Sequence, residues 1–230
     1  MILSREAMVC YDIHTHYPPA RPEDVAVINR IIGDGENLPP MRGSYCSVGI
    51  HPWYISHAEE QLTELRRQAL SPDVVAIGET GLDKLAETPL KCQQEIFSAS
   101  VSLAEELGLF VIIHCVKAWD ELIALKKACH PRMPWVVHGF RGKAALARQL
   151  IRQGLYLSFG ARFNPEALRE AWPNRLFAET DDCTTGIRSV YDSLSASLDI
   201  PLQQFAGQIA ENVRSLPAFS SRLDTHADHP

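Results

Sequence analysis

Six side chains of the types that bind divalent cations follow short apolar runs in this sequence. Two of them, His14 and His16, come two residues apart after the first run. Alternate residues of a β-strand point to the same side, so these imidazoles suit a single metal ion, although paired histidines also occur on ordinary strand faces. The other four residues each end a separate run: Glu79, His114, His138 and Asp181.

The chemistry that these six residues share is divalent metal binding. A carboxylate at the end of a buried strand costs several kcal/mol unless it is paired or bound to a metal. Coordination therefore accounts for Glu79 and Asp181 together. Four imidazoles and two carboxylates exceed the ligands of one catalytic zinc ion, which favours two divalent ions over one. The residue types leave the identity of the ions open among Zn²⁺, Mg²⁺ and Mn²⁺.

The apolar runs are interpreted as buried strands, because they are short and rich in β-branched and aromatic residues. Eight candidates can be counted: residues 8–14, 25–32, 45–50, 74–78, 109–113, 135–137, 155–157 and 176–180. Helical patterns separate the later runs, which predicts a parallel sheet with crossover helices. The predicted fold is α/β, a (β/α)₈ TIM barrel, in which the C-terminal ends of all strands face one mouth.

Three predicted helices carry recognisable end signals. Residues 56–59 match a capping box, in which Ser56 begins the helix. Pro89 opens a second helix that Gly108 ends, and residues 164–165, Asn-Pro, open a third.

The first third of the chain departs from this alternation of strands and helices. Residues 17–24 are too few and too rich in proline for a crossover helix, and residues 33–43 are rich in glycine and proline. The 230 residues also fall below the typical barrel length of about 250. We therefore expect a trimmed barrel whose first two crossover helices are reduced or missing. One domain is predicted over residues 1–217, followed by a polar C-terminal tail at 218–230.

Composition argues against several classes of protein. The net charge of −6 and the lack of a basic stripe disfavour a module that lies along duplex nucleic acid, although bound cations would offset this charge locally. The six cysteines are scattered singly, and the sequence has neither a signal peptide pattern nor an apolar run of membrane length. We expect a cytoplasmic protein with reduced cysteines, no membrane contact and no obligate protein partner.

As an ensemble, the motifs resemble those of the TatD-type metal-dependent hydrolases. The matching segments, in the order of that family, are 12–16 (DIHTH), 49–52 (GIHP), 78–83 (GETGLD), 111–114 (VIIH), 137–140 (VHGF), 179–181 (ETD) and 211–213 (ENV). The resemblance spans about residues 9–216. It implies a barrel of the metal-dependent hydrolase type with two divalent metal ions. It also implies cleavage of phosphoric ester bonds by metal-activated water, as in a TatD-like deoxyribonuclease or exonuclease acting on a phosphodiester such as single-stranded DNA ends.

The resemblance also implies roles for the six residues. One pair of histidines would bind each ion: His14 and His16 the first, His114 and His138 the second. Glu79 would bridge the two ions. Asp181 would bind the first ion and orient or deprotonate the attacking water. The expected catalytic residues are therefore Glu79 and Asp181.

Four further residues are candidates for supporting roles. His51 and Lys117 follow strand ends and are expected to contact the substrate phosphate, although packing of His51 under Trp53 is an equal alternative. Asp12 and Asp83 are expected to hydrogen-bond the ligating histidines. The alternatives are a turn residue for Asp83 and an exposed carboxylate at the strand start for Asp12.

The sequence departs from the family pattern around the substrate rather than at the metal ligands. After Asp181 it lacks a longer loop with Pro and an Arg-Asn pair, and after Asp83 it lacks the usual aromatic and Arg residues. An amidohydrolase-type hydrolase of a small amide, lactone or ester would have a similar metal site. A non-enzymatic metal-binding barrel is a further alternative.

Overall fold

The computed structural model describes residues 8–33, 45–217 and 219. Eight parallel strands form one sheet in which the strands follow one another in chain order. The strands are β1 Tyr11–Thr15, β2 Val25–Ile31, β3 Tyr45–Gly49, β4 Val74–Asp83, β5 Phe110–Val116, β6 Trp135–Val137, β7 Tyr156–Phe159 and β8 Leu176–Ala178. All eight predicted strands are confirmed.

The last strand returns to the first and nearly closes the sheet into a barrel. Just beyond β8, Asp181 bridges Thr15 at the end of β1. The backbone N–H of Asp181 donates to the carbonyl of His14 at 3.0 Å, and the N–H of His16 donates to the carbonyl of Asp181 at 3.1 Å. The predicted (β/α)₈ barrel is thus confirmed, and these contacts bring the end of β8 next to the His14–His16 pair.

Seven helices are present in the described part of the chain, and they cover the outside of the barrel. They are α1 Ala58–Ala69, α2 Leu90–Leu107, α3 Trp119–Cys129, α4 Ala144–Arg152, α5 Pro165–Ala171, α6 Ile187–Leu198 and α7 Leu202–Arg214. Gly108 ends α2 with a positive φ of 68°, and α5 begins at Pro165 as predicted, with the side chain of Asn164 capping it. The capping box at Ser56 was wrong, because α1 begins after His57 and has no side-chain cap.

The predicted trimming is visible at the first crossover. Residues 16–24 join β1 to β2 without a helix, and Asp24 ties this connection back by accepting the backbone N–H of Cys10 at 3.0 Å. The second predicted loop, residues 33–43, lies outside the described residues except for Gly33.

Apolar contacts between helices and strands form the core. Phe97 of α2 meets Trp135 of β6 edge to face, with 5.1 Å between ring centroids, and both side chains are fully buried. Phe219 is also buried, with its ring 4.8 Å from that of Tyr45. The rest of the predicted tail at 218–230 lies outside the described residues, and the boundary at residue 217 stays a prediction. No helix in the described ranges is long and apolar enough to cross a membrane.

Candidate metal centre

Glu79 lies at the centre of a cluster of imidazoles at the C-terminal ends of the strands. Its Oε1 lies 2.7 Å from Nε2 of His138, 2.8 Å from Nδ1 of His114 and 3.3 Å from Nε2 of His51. Its Oε2 lies 3.5 Å from Nε2 of His14. The two oxygens of one buried carboxylate therefore face residues from four different strand ends.

Asp181 extends the cluster on the side of β1. Its Oδ1 lies 3.5 Å from Nε2 of His14 and 3.8 Å from Nε2 of His16. His14 is fully buried, whereas about a third of the His16 side chain is exposed. The structure thus brings together all six residues that the sequence singles out as metal ligands.

The cluster has the properties of a cation site. His14 is buried, yet neither of its ring nitrogens makes a hydrogen bond, and Nδ1 of His138 is also buried without one. Such groups are costly to bury unpaired. Three sets of side chains hold their ligand atoms within 4.8 Å of one another: His14, His138 and Asp181; His14, His16 and Glu79; and His51, Glu79 and His114. A buried set of N and O donors on this spacing fits divalent metal ions.

These groupings only partly follow the assignment that the family resemblance implies. His14, His16 and Glu79 form one set, as expected for the first ion. His114 shares its set with His51 in place of His138. His51, which is expected to contact the substrate, is therefore also a possible metal ligand. Its Nε2 lies only 3.3 Å from Oε1 of Glu79.

Glycine in β4 allows the central carboxylate to approach its partners. Gly81 has a φ of 155°, and a β-carbon there would lie 1.9 Å from the carbonyl oxygen of His114. Only glycine lets β4 and β5 pair this closely. The 10 residues of β4 therefore carry both Glu79 and Asp83 alongside His114.

The two predicted supporting carboxylates are both buried but have different partners. Asp83 Oδ2 lies 3.2 Å from Nε2 of His114 and accepts the indole N–H of Trp53 at 2.7 Å. Asp12 accepts the backbone N–H of Thr180 at 3.0 Å and its hydroxyl at 2.6 Å. Asp83 therefore contacts a candidate ligand, whereas Asp12 joins β1 to the residue just before Asp181.

Two residues of the site were missed by the sequence analysis. Asn29 of β2 donates to Glu79 Oε2 at 3.3 Å and accepts the Glu79 backbone N–H at 2.9 Å. Glu179 is fully buried, accepts the backbone N–H of Gly139 and lies 3.6 Å from Nδ1 of His138. Both are polar residues within or after buried strands. Glu179 follows the apolar run of β8, which is the same signal that singles out Asp181.

Glu79 and His138 form an ion pair at the centre of the cluster, and each shifts the pKa of the other. Burial opposes ionisation of Glu79, but the charge of His138 and hydrogen bonds from His114 and His138 hold its pKa well below the ordinary value. Burial likewise disfavours the imidazolium of His138, yet Glu79 and Glu179 hold the pKa of His138 well above the ordinary value. Without metal, a proton on His138 thus offsets the charge of Glu79, which a bound cation would otherwise do.

Three other members of the cluster favour the ionisation states that bind metal ions: Asp181, His16 and His51. Burial opposes ionisation of Asp181, but interaction with His14 lowers the pKa of Asp181 to about 2. Burial lowers the pKa of both His16 and His51. An ionised carboxylate and neutral imidazoles are the forms that bind metal ions.

Basic residues flank the cluster. Lys117, the predicted substrate contact, is exposed just after β5, and no hydrogen bond or ion pair joins its side chain to another described residue. Arg141 and Arg162 line a pocket of about 90 Å³ together with Glu179 and Asp181. Positive side chains thus adjoin Asp181 from loops after other strands.

Comparisons with known proteins agree with this picture. The sequence profile of the TatD-related DNases matches residues 40–217. YabD of Bacillus subtilis, described as an uncharacterized metal-dependent hydrolase, is 34% identical over 147 residues, covering 60% of this chain and 58% of that protein. The 3'-5' ssDNA/RNA exonuclease TatD of Enterobacter lignolyticus is 36% identical over 149 residues, covering 60% of this chain and 57% of that protein. The chain thus spans less than two thirds of the length of these relatives.

Solved structures show the same fold. YjjV, a TatD homologue from Escherichia coli, has a TM-score of 0.75 at 22% identity, covering 90% of this chain and 97% of that one. A TatD-family hydrolase from Entamoeba histolytica has a TM-score of 0.70 at 17% identity, with the same coverage. The family profile covers well over half of the sequence and includes four of the six candidate ligands. The chain belongs to the TatD family.

Proposed function

We propose that this protein is a divalent-metal-dependent hydrolase of phosphoric ester bonds, and that it acts as a deoxyribonuclease or exonuclease on single-stranded DNA ends. The observation that carries the proposal is the cluster around Glu79. Four imidazoles lie within 3.5 Å of its carboxylate, and one of them, His14, is buried with both ring nitrogens lacking a hydrogen bond.

The residues present suit two ions better than one. Glu79 presents Oε1 to His114 and His138, and Oε2 to His14. A carboxylate with both oxygens engaged in this way is suited to bridging two ions. Divalent ions held by these residues would lower the pKa of a coordinated water toward about 7 and would stabilise charge on phosphoryl oxygens.

Asp181 would orient the attacking water. A carboxyl with a pKa of about 2 is ionised at neutral pH, so Oδ1 can accept a hydrogen bond from water. The same low pKa makes Asp181 a weak base for removing the proton of that water, since an efficient general base has a pKa near the working pH. Asp181 is therefore better suited to binding a metal ion and orienting the water than to removing its proton.

Residues around the cluster would hold the anionic substrate and the ligands. Lys117 would contact a phosphate as a point charge, and Arg141 and Arg162 offer bidentate donors beside Asp181. Asp83 would keep His114 in its orientation, since the two lie 3.2 Å apart. His51 would contact either an ion or a phosphate oxygen.

The nucleic-acid substrate is proposed from the relatives, several of which are curated as 3'-5' ssDNA/RNA exonucleases. Metal ions would compensate locally for the acidic net charge of this chain. All six cysteines are free, which agrees with the proposed cytoplasmic location.

A substrate panel tests the proposal. EDTA-treated protein is assayed with and without added Mn²⁺, Mg²⁺ or Zn²⁺ on bis(p-nitrophenyl) phosphate, a single-stranded oligonucleotide and neutral carboxylic esters. We expect metal-dependent cleavage of the first two. His114→Ala and Asp181→Ala should each lower turnover by about 10²- to 10³-fold or more, the scale for losing one preorganised electrostatic group.

His130→Ala is the matched control, because His130 is exposed at the end of α3. It should keep full activity, and circular dichroism should show that all three variants are folded. Strict preference for the neutral esters would replace the proposal with an amidohydrolase-type activity. Metal binding without turnover on any substrate would favour a binding protein.

A further inference from the structure

The large apolar side chains that remain exposed concentrate around the metal centre. Among the described residues, six such side chains are exposed: Val9, Tyr17, Trp53, Tyr54, Leu70 and Leu85. Tyr17 follows His16 directly, Trp53 and Tyr54 come just after His51, and Leu85 comes two residues after Asp83. The mouth of the barrel therefore combines a site for cations with an apolar, largely aromatic rim.

Trp53 is the member of this rim that contacts both the histidines of the cluster and Asp83. Its indole N–H donates to Asp83 Oδ2 at 2.7 Å, and its backbone N–H donates to Nδ1 of His51 at 3.2 Å. Its ring centroid lies 4.9 Å from that of His51 and 6.0 Å from that of His114. One hydrogen bond thus holds the indole, and the other holds the Trp53 backbone, beside two of the imidazoles that surround Glu79.

The exposure of Trp53 is not explained by packing. Trp53 is 59% exposed, whereas Trp135 is fully buried and packs against Phe97. A hydrogen bond from the indole N–H to Asp83 satisfies the polar edge of Trp53 but leaves most of its apolar surface in water. Because its orientation is already held, binding a flat ligand on it costs little side-chain entropy.

We propose that Trp53 is the stacking platform for a nucleobase next to the phosphate that the metal centre holds. The inference rests on the proposed phosphodiesterase function, because it assumes that the anionic group of the ligand lies at the cluster. A nucleic acid with unpaired bases carries a phosphate and a flat aromatic ring within one nucleotide, which matches a cation site with an adjacent indole. Stacking of this kind tolerates any base, since every base has a π-face.

The test compares a single-stranded thymidylate oligonucleotide with an abasic strand of the same length and charge. Binding is measured by fluorescence anisotropy on EDTA-treated protein, and kcat/KM is measured with Mn²⁺. We expect the wild type to prefer the thymidylate strand by roughly 5- to 150-fold, the range that base–aromatic stacking supports. Trp53→Ala should bring this preference to about one. Trp53→Phe should keep an intermediate preference, because a phenyl ring still offers a stacking face.

Leu70→Ala is the matched control, because Leu70 is exposed at the end of α1, away from the residues of the mouth. Leu70→Ala should leave binding and kcat/KM unchanged for both oligonucleotides. An equal loss on both strands in Trp53→Ala would overturn the inference, because the indole would then act only by supporting Asp83. A wild type without base preference in either assay would also overturn it. If neither strand nor bis(p-nitrophenyl) phosphate were cleaved with any metal, the proposed function would fail instead.

Discussion

The barrel is built from two unlike parts. In the first part, β1 to β3, the described connection between strands has no helix, and polar side chains hold the strands in place. In the second part, β4 to β8, helices follow the strands and cover them with apolar side chains. Where the β1–β2 connection is too short to form a crossover helix, specific hydrogen bonds hold it to its neighbours instead.

The polar contacts of the first part are concentrated at two residues. Asp24 accepts the backbone N–H of Cys10 at 3.0 Å and pairs with Arg188 of α6 at 2.9 Å. Gln61 of α1 donates to the carbonyls of Ile32 at 3.2 Å and Tyr54 at 2.8 Å. Asp24 thus joins the β1–β2 connection to α6, and Gln61 joins α1 to the segments that follow β2 and β3.

The metal centre lies where the two parts meet. His14 and His16 come from the first part, and Glu79 from the second. Asn29 of β2 connects them, because it bonds both the carboxylate and the backbone N–H of Glu79 and also accepts the hydroxyl of Ser47 at 3.1 Å. Metal binding is therefore expected to tie the two parts of the barrel together.

The largest expected effect on stability is in the helix-covered part. Phe97→Ala should lower the free energy of unfolding by about 3–5 kcal/mol, because it leaves a cavity beside Trp135 in a fully buried site. Urea denaturation measures the change. Phe97→Leu, which keeps most of the volume, should cost clearly less. Equal costs for the two variants would show that this part does not depend on close apolar packing.

A smaller loss of stability is expected in the first part of the barrel, where polar contacts hold the strands. Asp24→Ala should lower the free energy of unfolding by about 1–3 kcal/mol, because it leaves the buried N–H of Cys10 without a partner and removes the ion pair with Arg188, which keeps Met8 and Glu23 as partners. Glu106→Ala is the control, since it removes an exposed pair with Arg66 and should have no measurable effect. If the two variants were equally stable, the proposed substitution of hydrogen bonds for a helix would be wrong.

The connection between the two parts is tested by Asn29→Ala. This variant should weaken Mn²⁺ binding by about 10- to 100-fold, the usual cost of removing a hydrogen-bond partner of a metal ligand. Isothermal titration calorimetry gives the affinity. Ser98→Ala, which removes a hydroxyl that bonds only within α2, is the control. Unchanged affinity in Asn29→Ala would mean that Glu79 is positioned by β4 alone.

The smallest effect concerns a partly exposed contact of the first part. Burial opposes ionisation of Asp73, but hydrogen bonds from Ser71 and from Arg30 of β2 lower its pKa. A carboxyl with a lowered folded pKa stabilises the protein above its unfolded pKa, about 3.9, and this contribution is lost as pH falls through the folded value. Asp73→Asn should therefore cost under about 1 kcal/mol at pH 6. The difference from wild type should shrink by pH 3 in urea denaturation.

The sequence predicts the regular elements and most of the cluster because both follow local rules. Short β-branched runs mark all eight strands, and ionisable residues at their ends converge once the barrel is assumed. Gly108 ends a helix because glycine tolerates a positive φ, and Asn164 begins one because its side chain accepts the backbone N–H groups of Glu166 and Ala167. The predicted capping box at Ser56 was wrong because its neighbour His57 takes the N-cap position, where no side chain bonds the backbone.

The contacts that the sequence did not reveal join residues far apart in the chain. Asn29 is separated from Glu79 by 50 residues, and nothing in the run around it marks its partner. The placement of His51 against Glu79 also depends on how β3 and β4 pair. Likewise, the bond from Trp53 to Asp83 joins loops after different strands. Such pairings require the three-dimensional register of the sheet.

We infer that the cluster around Glu79 is a metal centre shared by both parts of the barrel. Calorimetric titration of EDTA-treated protein with Mn²⁺ tests it most directly, with Glu79→Gln compared against wild type. We expect saturable binding of two ions per chain in the wild type, and loss of at least one of them in folded Glu79→Gln. Absence of saturable binding in the wild type, or an identical isotherm for the variant, would show that Glu79 does not lie at the centre of a metal site.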